Sequence, residues 1–196
     1  MKIGIFGGTF DPIHVGHLAL AKNARSQFLL DKVILIPAYN PPHKKSIPFL
    51  TSAQDRYEMV KVAVGQEPFL EVSDCEIQRK GISYTFDTIE GLEKKYPGSE
   101  FYLILGKDAF EDVDTWHKAS LIKKKVKFLV ANRTDHDSHI PEDVIFDWVQ
   151  MPLCPIAASS IRDAIQHGKP VDAFLLPEVL RYIRSRNLYQ DQKSRS

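Results

Sequence analysis

The chain has 196 residues, of which 43% are hydrophobic and 26% charged, as is ordinary for a globular protein of one domain. Lysine and arginine number 26 and aspartate and glutamate 25, so no overall basic field is present to attract nucleic acid or a membrane surface. Two cysteines far apart exclude a disulfide framework and predict a cytoplasmic protein. We expect a single domain over residues 1–189 and a flexible tail over 190–196.

Strand-like and helix-like segments alternate along the chain. Apolar and β-branched runs predict strands at Lys2–Phe6, Lys32–Pro37, Phe69–Ser73, Phe101–Leu105 and Lys127–Ala131. Apolar residues at helical spacing predict helices at Leu18–Leu30, Thr51–Val64, Thr85–Tyr96, Ser160–His167 and Pro177–Arg186. Because the strands are apolar on both faces, the alternation predicts an α/β fold, a Rossmann-like open parallel sheet with helices on both faces.

Ligands of such sheets bind outside the carboxyl ends of the strands. Polar residues and glycines follow the predicted strands there: Gly7, Gly8, Thr9, His14 and His17 after the first, Asn40, His43 and Lys44 after the second, Gly106, Lys107 and Asp108 after the fourth, and Asn132 and Arg133 after the fifth. We therefore expect a ligand site at this edge of the sheet.

The two glycines after the first strand are typical either of a tight turn or of a backbone that approaches a ligand closely. They match a dinucleotide-binding fingerprint only loosely, and the acidic residue expected after the second strand is absent from IPAYNPPHKK. A GxxxxGK[ST] loop is also absent. Hydride transfer and P-loop ATP hydrolysis are therefore disfavoured.

His14 and His17 lie near the start of the first predicted helix. Alone, such a pair is more often a set of capping or partly buried histidines than a functional site. A metal site would need a third ligand, and none is nearby in the sequence. Imidazoles and glycine amides beside a helix N-terminus suit phosphate, so the position after a glycine turn favours anion binding.

Five motifs occur in an order typical of one family. GGTFDPIHVGH contains a version of the (T/H)xGH signature of nucleotidyltransferases. The others are PPHK at 41–44, SYTFDT at 83–88, GKDAF at 106–110 followed by Trp116, and IAASSIR at 156–162. Over essentially the whole chain, these motifs resemble those of the bacterial nicotinate-nucleotide adenylyltransferases.

The resemblance implies transfer of AMP from ATP to nicotinate mononucleotide in NAD biosynthesis, with Mg²⁺ accompanying ATP and no side-chain metal cage. It implies that the catalytic residues are His14, His17, Lys44 and Arg162. The implied ATP-binding residues are Gly7, Gly8, Thr9, Phe10, His14, His17, Gly106, Asp108, Arg133, Ser159 and Arg162. The implied acceptor-binding residues are Asn40, His43, Lys44, Thr85, Trp116 and His117. A homo-oligomer is compatible with the sequence, and neither nucleic acid nor membrane is an expected partner.

Alternatives remain for individual residues and for the activity. Trp116 could be a core residue, Asp108 a helix cap and the PPHKK run a solvated loop. The family's commoner last motif is ISSTxIR, and Ala157 and Ala158 replace its serines here. The alternatives to the nicotinate acceptor are nicotinamide mononucleotide, pantetheine phosphate, or a non-catalytic nucleotide-binding protein of the same fold.

Overall fold

One parallel sheet organises the chain. The structure is a computed structural model that describes residues 1–42, 51–65, 67–131, 140–152 and 156–190. Within these residues the strands are β1 Lys2–Gly8, β2 Lys32–Pro37, β3 Leu70–Val72, β4 Glu100–Leu105, β5 Val126–Ala131 and β6 Phe146–Val149. Their order is β3-β2-β1-β4-β5-β6, and all neighbours are parallel. The order reverses at β1 and β4, which places a crevice at their carboxyl ends.

Helices cover both faces of this sheet. They are α1 Val15–Phe28, α2 Ala53–Val64, α3 Cys75–Arg79, α4 Thr85–Lys95, α5 Lys107–Glu111, α6 Ala119–Lys125, α7 Ala158–Gln166 and α8 Pro177–Ser185. A short 3-10 helix, Val113–Thr115, lies between α5 and α6. Buried residues of α1, α2, α7 and α8 share one core cluster, and those of α4, α5 and α6 share the other. Among the described helices, none is long and apolar enough to cross a bilayer.

The strand sequences explain why there are two cores. In β2, Val33 and Leu35 belong to the cluster beneath α1 and α2, whereas Ile34 and Ile36 belong to the cluster beneath α4. Successive side chains of a strand point to opposite faces, so an unbroken apolar run is buried on both. The predicted fold class is confirmed.

The five predicted strands and five predicted helices are all present, with boundaries shifted by a few residues. The first helix begins at Val15 rather than Leu18, because His14 is extended and forms the N-cap. Four further elements, β6, α3, α5 and α6, were not predicted from the sequence. These elements have four to seven residues, too few for an apolar period to be recognised.

Gly4 in β1 is fixed by packing, and its replacement is the first test. A Cβ there would lie 2.9 Å from Cδ1 of Ile104 and 3.0 Å from Cδ1 of Leu30. We expect Gly4→Ala to lower the free energy of unfolding by about 1–3 kcal/mol, measured by urea denaturation. Gly91 in α4 is the control, since a Cβ there meets open space, and Gly91→Ala should be stabilising by about 0.5–1 kcal/mol. Equal effects of the two substitutions would contradict this account of the core.

Candidate active site

The two histidines meet where the β1–α1 loop enters the helix. His14 is the N-cap of α1, and its N–H donates to Nδ1 of His17 over 3.2 Å. The two rings stack with their centroids 3.7 Å apart and an angle of 29° between their planes. The local capping geometry of the helix therefore brings both imidazoles to the end of β1.

This hydrogen bond also fixes the proton of His17. Nδ1 accepts from the backbone, so in the neutral imidazole the proton is on Nε2. His17 can thus donate a hydrogen bond from Nε2 to an anionic oxygen. His17 can therefore cap the helix with Nδ1 and bind an anion with Nε2 at the same time.

His14 is held uncharged by burial. It is only 8% exposed, and desolvation lowers its pKa from 6.5 to about 4. Its buried Nδ1 has no hydrogen-bond partner among the residues that the structure describes. A buried polar atom without a partner is costly, and here it lies beside a site where phosphate is expected.

The first amide of α1 is already used. The Val15 N–H donates to the carbonyl oxygen of Phe174 over 3.0 Å. Anion binding at this end of the helix therefore depends on the two imidazoles more than on the Val15 amide that the helix N-terminus would otherwise present.

Three of the predicted ATP-binding residues, Gly7, Gly8 and Phe10, have distinct surroundings at the end of β1. The Phe10 side chain is 2% exposed and its ring centroid lies 5.1 Å from that of His17, so only its backbone remains for a ligand. A Cβ at Gly8 would lie 2.9 Å from Phe10 Cζ, which explains the second glycine by packing. A Cβ at Gly7 would meet nothing within 4 Å, so Gly7 leaves room for close approach.

Arg162 is brought to the same loop from the far end of the chain. It lies on α7, and its Nη1 donates to the Asp11 carbonyl oxygen over 2.7 Å. Ser159, in the first turn of α7, is exposed, and Ala157 caps the helix without a side-chain hydrogen bond. Arg162 therefore places a cation on the loop that leads to the histidine pair, and α7 begins without a side-chain cap.

Two of the predicted ATP-binding residues, Gly106 and Asp108, follow the carboxyl end of β4. Gly106 is exposed and forms the N-cap of α5, and Asp108 is exposed in its first turn. Because β4 pairs with β1, these two residues follow the strand next to the histidine loop.

The acceptor residues are joined through the SYTFDT segment. Ser83 Oγ accepts hydrogen bonds from the amides of Tyr39 over 2.9 Å and Asn40 over 3.2 Å. Thr85 begins α4, and the ring of the preceding Tyr84 lies 4.3 Å from the ring of His117. The structure therefore gathers Asn40, Thr85 and His117 on one side of the crevice. Trp116, next to His117, is half-buried against the core that contains Phe86.

Three predicted site residues, His43, Lys44 and Arg133, lie outside the described residues. Their assignments remain predictions from the resemblance.

Arg56 of α2 borders the site but was not predicted from the sequence. Its side chain is fully buried and donates to three carbonyl oxygens: Nη1 to Thr9 over 2.8 Å, Nε to Thr51 over 3.1 Å and Nη2 to Tyr39 over 3.2 Å. Burial lowers its pKa. Its spacing, three residues before the inward-facing Met59, was a signal that it would lie inside. It ties the loop after β1 to the loop after β2.

A parallel sheet with phosphate-compatible groups gathered at its switch point defines a nucleotide-binding α/β protein. A family model described as cytidylyltransferase-like matches residues 5–164. A Desulfitobacterium hafniense protein named "Probable nicotinate-nucleotide adenylyltransferase" is 45% identical, over 96% of each chain. A Shouchella clausii protein of the same name is 42% identical, over 97% of each chain.

The solved structure of nicotinic acid mononucleotide adenylyltransferase from Plasmodium falciparum, complexed with NaAD, aligns with a TM-score of 0.82. The two sequences are 20% identical, and the alignment covers 96% of this chain and 97% of the Plasmodium chain. This likeness shows the fold. The identity of the curated relatives carries the finer assignment. The chain belongs to the nicotinate-nucleotide adenylyltransferases, a family of nucleotidyltransferases.

The buried His14 predicts a pH dependence of stability. In the unfolded chain His14 is protonated below about pH 6.5, whereas in the folded protein it stays neutral down to about pH 4. Because the unfolded state binds the extra proton, the free energy of unfolding falls as the pH falls between these values. At about 1.4 kcal/mol per pKa unit, the loss between these values is about 3 kcal/mol. Urea denaturation of the wild type and of His14→Asn at several pH values measures this loss. The free energy of unfolding of the variant should depend less on pH between 4 and 6.5. If it falls as steeply in the variant as in the wild type, His14 is not the cause.

Proposed function

We propose that the protein transfers the adenylyl group of ATP to the phosphate of nicotinate mononucleotide, forming nicotinate adenine dinucleotide and pyrophosphate. The observation that carries the proposal is the stacked pair His14 and His17 at the carboxyl end of β1, with Arg162 anchored to the same loop. Membership of the family supports the proposal that this pair is the phosphate-binding centre of an adenylyltransferase.

The reaction needs no protein nucleophile. An oxygen of the acceptor phosphate forms a bond to the α-phosphorus of ATP, and the bond from that phosphorus to the oxygen bridging to the β-phosphorus breaks. A phosphate monoester is mostly dianionic at neutral pH because its second pKa is about 6, so it needs no general base. The protein has to position both substrates and neutralise the charge that develops on the departing pyrophosphate.

The described residues divide this work. His17 donates from Nε2 to the phosphate chain, where negative charge grows during transfer. His14, kept neutral by burial, supplies a hydrogen-bonding group rather than a second positive charge. Arg162 supplies the permanent charge, and the amides at the start of α7, together with Ser159, bind further phosphate oxygens.

The acceptor lies on the side formed by α4 and the loop after β2. The amides at the start of α4, beside Thr85, receive the nicotinate carboxylate, since a helix N-terminus favours an anion. Trp116 and His117 offer faces for the pyridine ring. Asn40, held through its backbone by Ser83, borders the same space.

Magnesium accompanies ATP in this proposal and supplies charge neutralisation on the triphosphate when bound. The donor set fits an ion that is held mainly by phosphates and water. The carboxylate of Asp11, next to the histidine loop, is already engaged by Thr51 and Tyr189. The reaction is proposed to occur in the cytoplasm, in keeping with the free thiol of Cys75.

The acceptor is tested by pyrophosphate release from ATP and Mg²⁺ with three acceptors in parallel. We expect release with nicotinate mononucleotide far above that with nicotinamide mononucleotide or pantetheine phosphate, because only the first carries the carboxylate that α4 receives. Release with another acceptor would keep the chemistry and discard the roles of Thr85 and Trp116. If folded protein that binds ATP releases no pyrophosphate with any of the three, the result would favour a non-catalytic nucleotide-binding protein, in which Ala157 and Ala158 replace the serines of the family's last motif.

The role of His17 is tested by two substitutions. His17→Ala should reduce kcat by about 100- to 1,000-fold, the usual effect of losing one donor to a developing anion. Because His17 also accepts the His14 N–H, His17→Asn is the matched control, since its side-chain oxygen can keep that capping bond.

The two His17 variants separate capping from catalysis. We expect His17→Asn to keep most of the stability that His17→Ala loses, yet to remain as slow, in steady-state kinetics and urea denaturation. Full activity in His17→Asn would assign the residue to the helix cap alone.

A further inference from the structure

The carboxylate of Asp11 joins parts of the chain that are remote in sequence. Its Oδ1 accepts a hydrogen bond from the Tyr189 hydroxyl over 2.6 Å, and another from the Thr51 hydroxyl. Its Oδ2 accepts the Thr51 amide over 3.4 Å and lies 4.0 Å from Nη1 of Arg162. The residue is 2% exposed. Asp11 is therefore a buried anion at the centre of the loop that ends at His14.

Tyr189 reaches this carboxylate through a defined turn at the end of α8. The Leu188 amide donates to the Ile183 carbonyl oxygen over 3.0 Å, and the Asn187 amide donates to that of Arg184 over 3.2 Å. Asn187 is left-handed with φ 52°, so the two bonds form a Schellman motif with asparagine at its left-handed position. The motif reverses the chain and carries Tyr189 back over α2.

The Tyr189 side chain is held in an environment that keeps its proton. Burial and the nearby charge of Asp11 raise the pKa of the hydroxyl, which therefore stays a donor at physiological pH. Its oxygen also lies 3.8 Å from Sδ of Met59 in α2. The backbone of Tyr189 has φ 63°, a conformation that costs a non-glycine residue free energy and persists only where surrounding contacts enforce it.

We propose that Tyr189 is a positioning residue of adenylyl transfer, which holds the Asp11 carboxylate and thereby the loop that carries His14 and His17. The proposal rests on the proposed function. Tyr189 is not proposed to contact the reacting oxygen of the acceptor or the α-phosphorus of ATP. It acts through Asp11.

The path from Tyr189 to the phosphates is short. Asp11 Oδ1 accepts a hydrogen bond from the Tyr189 hydroxyl. The backbone carbonyl oxygen of Asp11 accepts a hydrogen bond from Nη1 of Arg162 over 2.7 Å. A rotation of Asp11 would therefore displace the cation of the site and the chain three residues before His14. A misplacement of about 1 Å in a catalytic group can cost about 100-fold in rate.

Tyr189→Phe removes the hydroxyl and keeps the ring, and the chain supplies a matched control. Tyr182, on α8, also donates from its phenol to a carboxylate, Asp55 Oδ1, over 3.0 Å. The described side-chain contacts of Asp55, in α2, are with Ser52, Tyr182 and Arg186, and none of these residues lies in the histidine loop. Tyr182→Phe therefore loses the same kind of phenol–carboxylate bond without removing a contact of Asp11.

Steady-state kinetics with ATP, Mg²⁺ and nicotinate mononucleotide, together with urea denaturation, compare the two variants. We expect both to lower the urea midpoint by similar amounts. Only Tyr189→Phe should lower kcat, by about tenfold or more, with the KM for nicotinate mononucleotide changed less than twofold. Equal kcat values in the two folded variants would overturn the proposal, since a purely structural role predicts that result.

Amide hydrogen exchange gives a readout that does not depend on turnover. Peptides over residues 9–14 should exchange faster in Tyr189→Phe than in Tyr182→Phe, and equal rates would also overturn the proposal. A failure of the proposed function looks different, because the wild type itself would then release no pyrophosphate. In that case the exchange rates alone decide whether Tyr189 holds the Asp11 loop.

Discussion

The buried guanidinium of Arg56 is the constraint on which the active-site end of the sheet depends. It is fully buried, and it donates to carbonyl oxygens of the loops after β1 and β2 and of Thr51, which precedes the N-cap of α2. Taking a charge out of water costs several kcal/mol, and hydrogen bonds from a charged donor contribute about 1.5–3 kcal/mol each. The cation is therefore stable inside only while all three carbonyls stay in place. The same condition fixes the separation of the loops after β1 and β2.

The electrostatics of the site follow from this arrangement. Asp11 and Arg56 are both buried near the loop, and the charge of Asp11 opposes the lowering of the Arg56 pKa by burial. Arg162 is partly exposed, so its charge is accessible from solvent. His14 is neutral because it is buried, so among the described residues it adds no charge to those of Arg56 and Arg162. A neutral His14 therefore adds no repulsion between like charges beside this loop.

Much of the fold could be predicted from the sequence, because the strands are continuous apolar runs and the longer helices have a clear apolar face. The glycines and histidines after β1 were also recognisable, since they follow a strand within a few residues. The partners of Asp11 were not, because Tyr189 is 178 residues away and no local pattern shows which buried phenol meets which carboxylate. The burial of Arg56 could be predicted only in part. Its helical spacing indicates a buried position, but the carbonyl oxygens that accept its hydrogen bonds come from loops remote in the sequence. The short β6 exists mainly because β5 offers it an edge.

The SYTFDT segment is anchored at both ends, on either side of Thr85, the residue proposed to lie beside the acceptor. Ser83 binds the backbone of the loop after β2, and Thr88 donates to the buried carboxylate of Glu76 over 2.6 Å. Burial raises the pKa of Glu76, which marks that carboxylate as a costly group needing such donors. Thr85, at the start of α4, is thereby held between two anchored positions. The amides at the start of α4 are therefore held in fixed positions, as the proposed binding of an acceptor carboxylate requires.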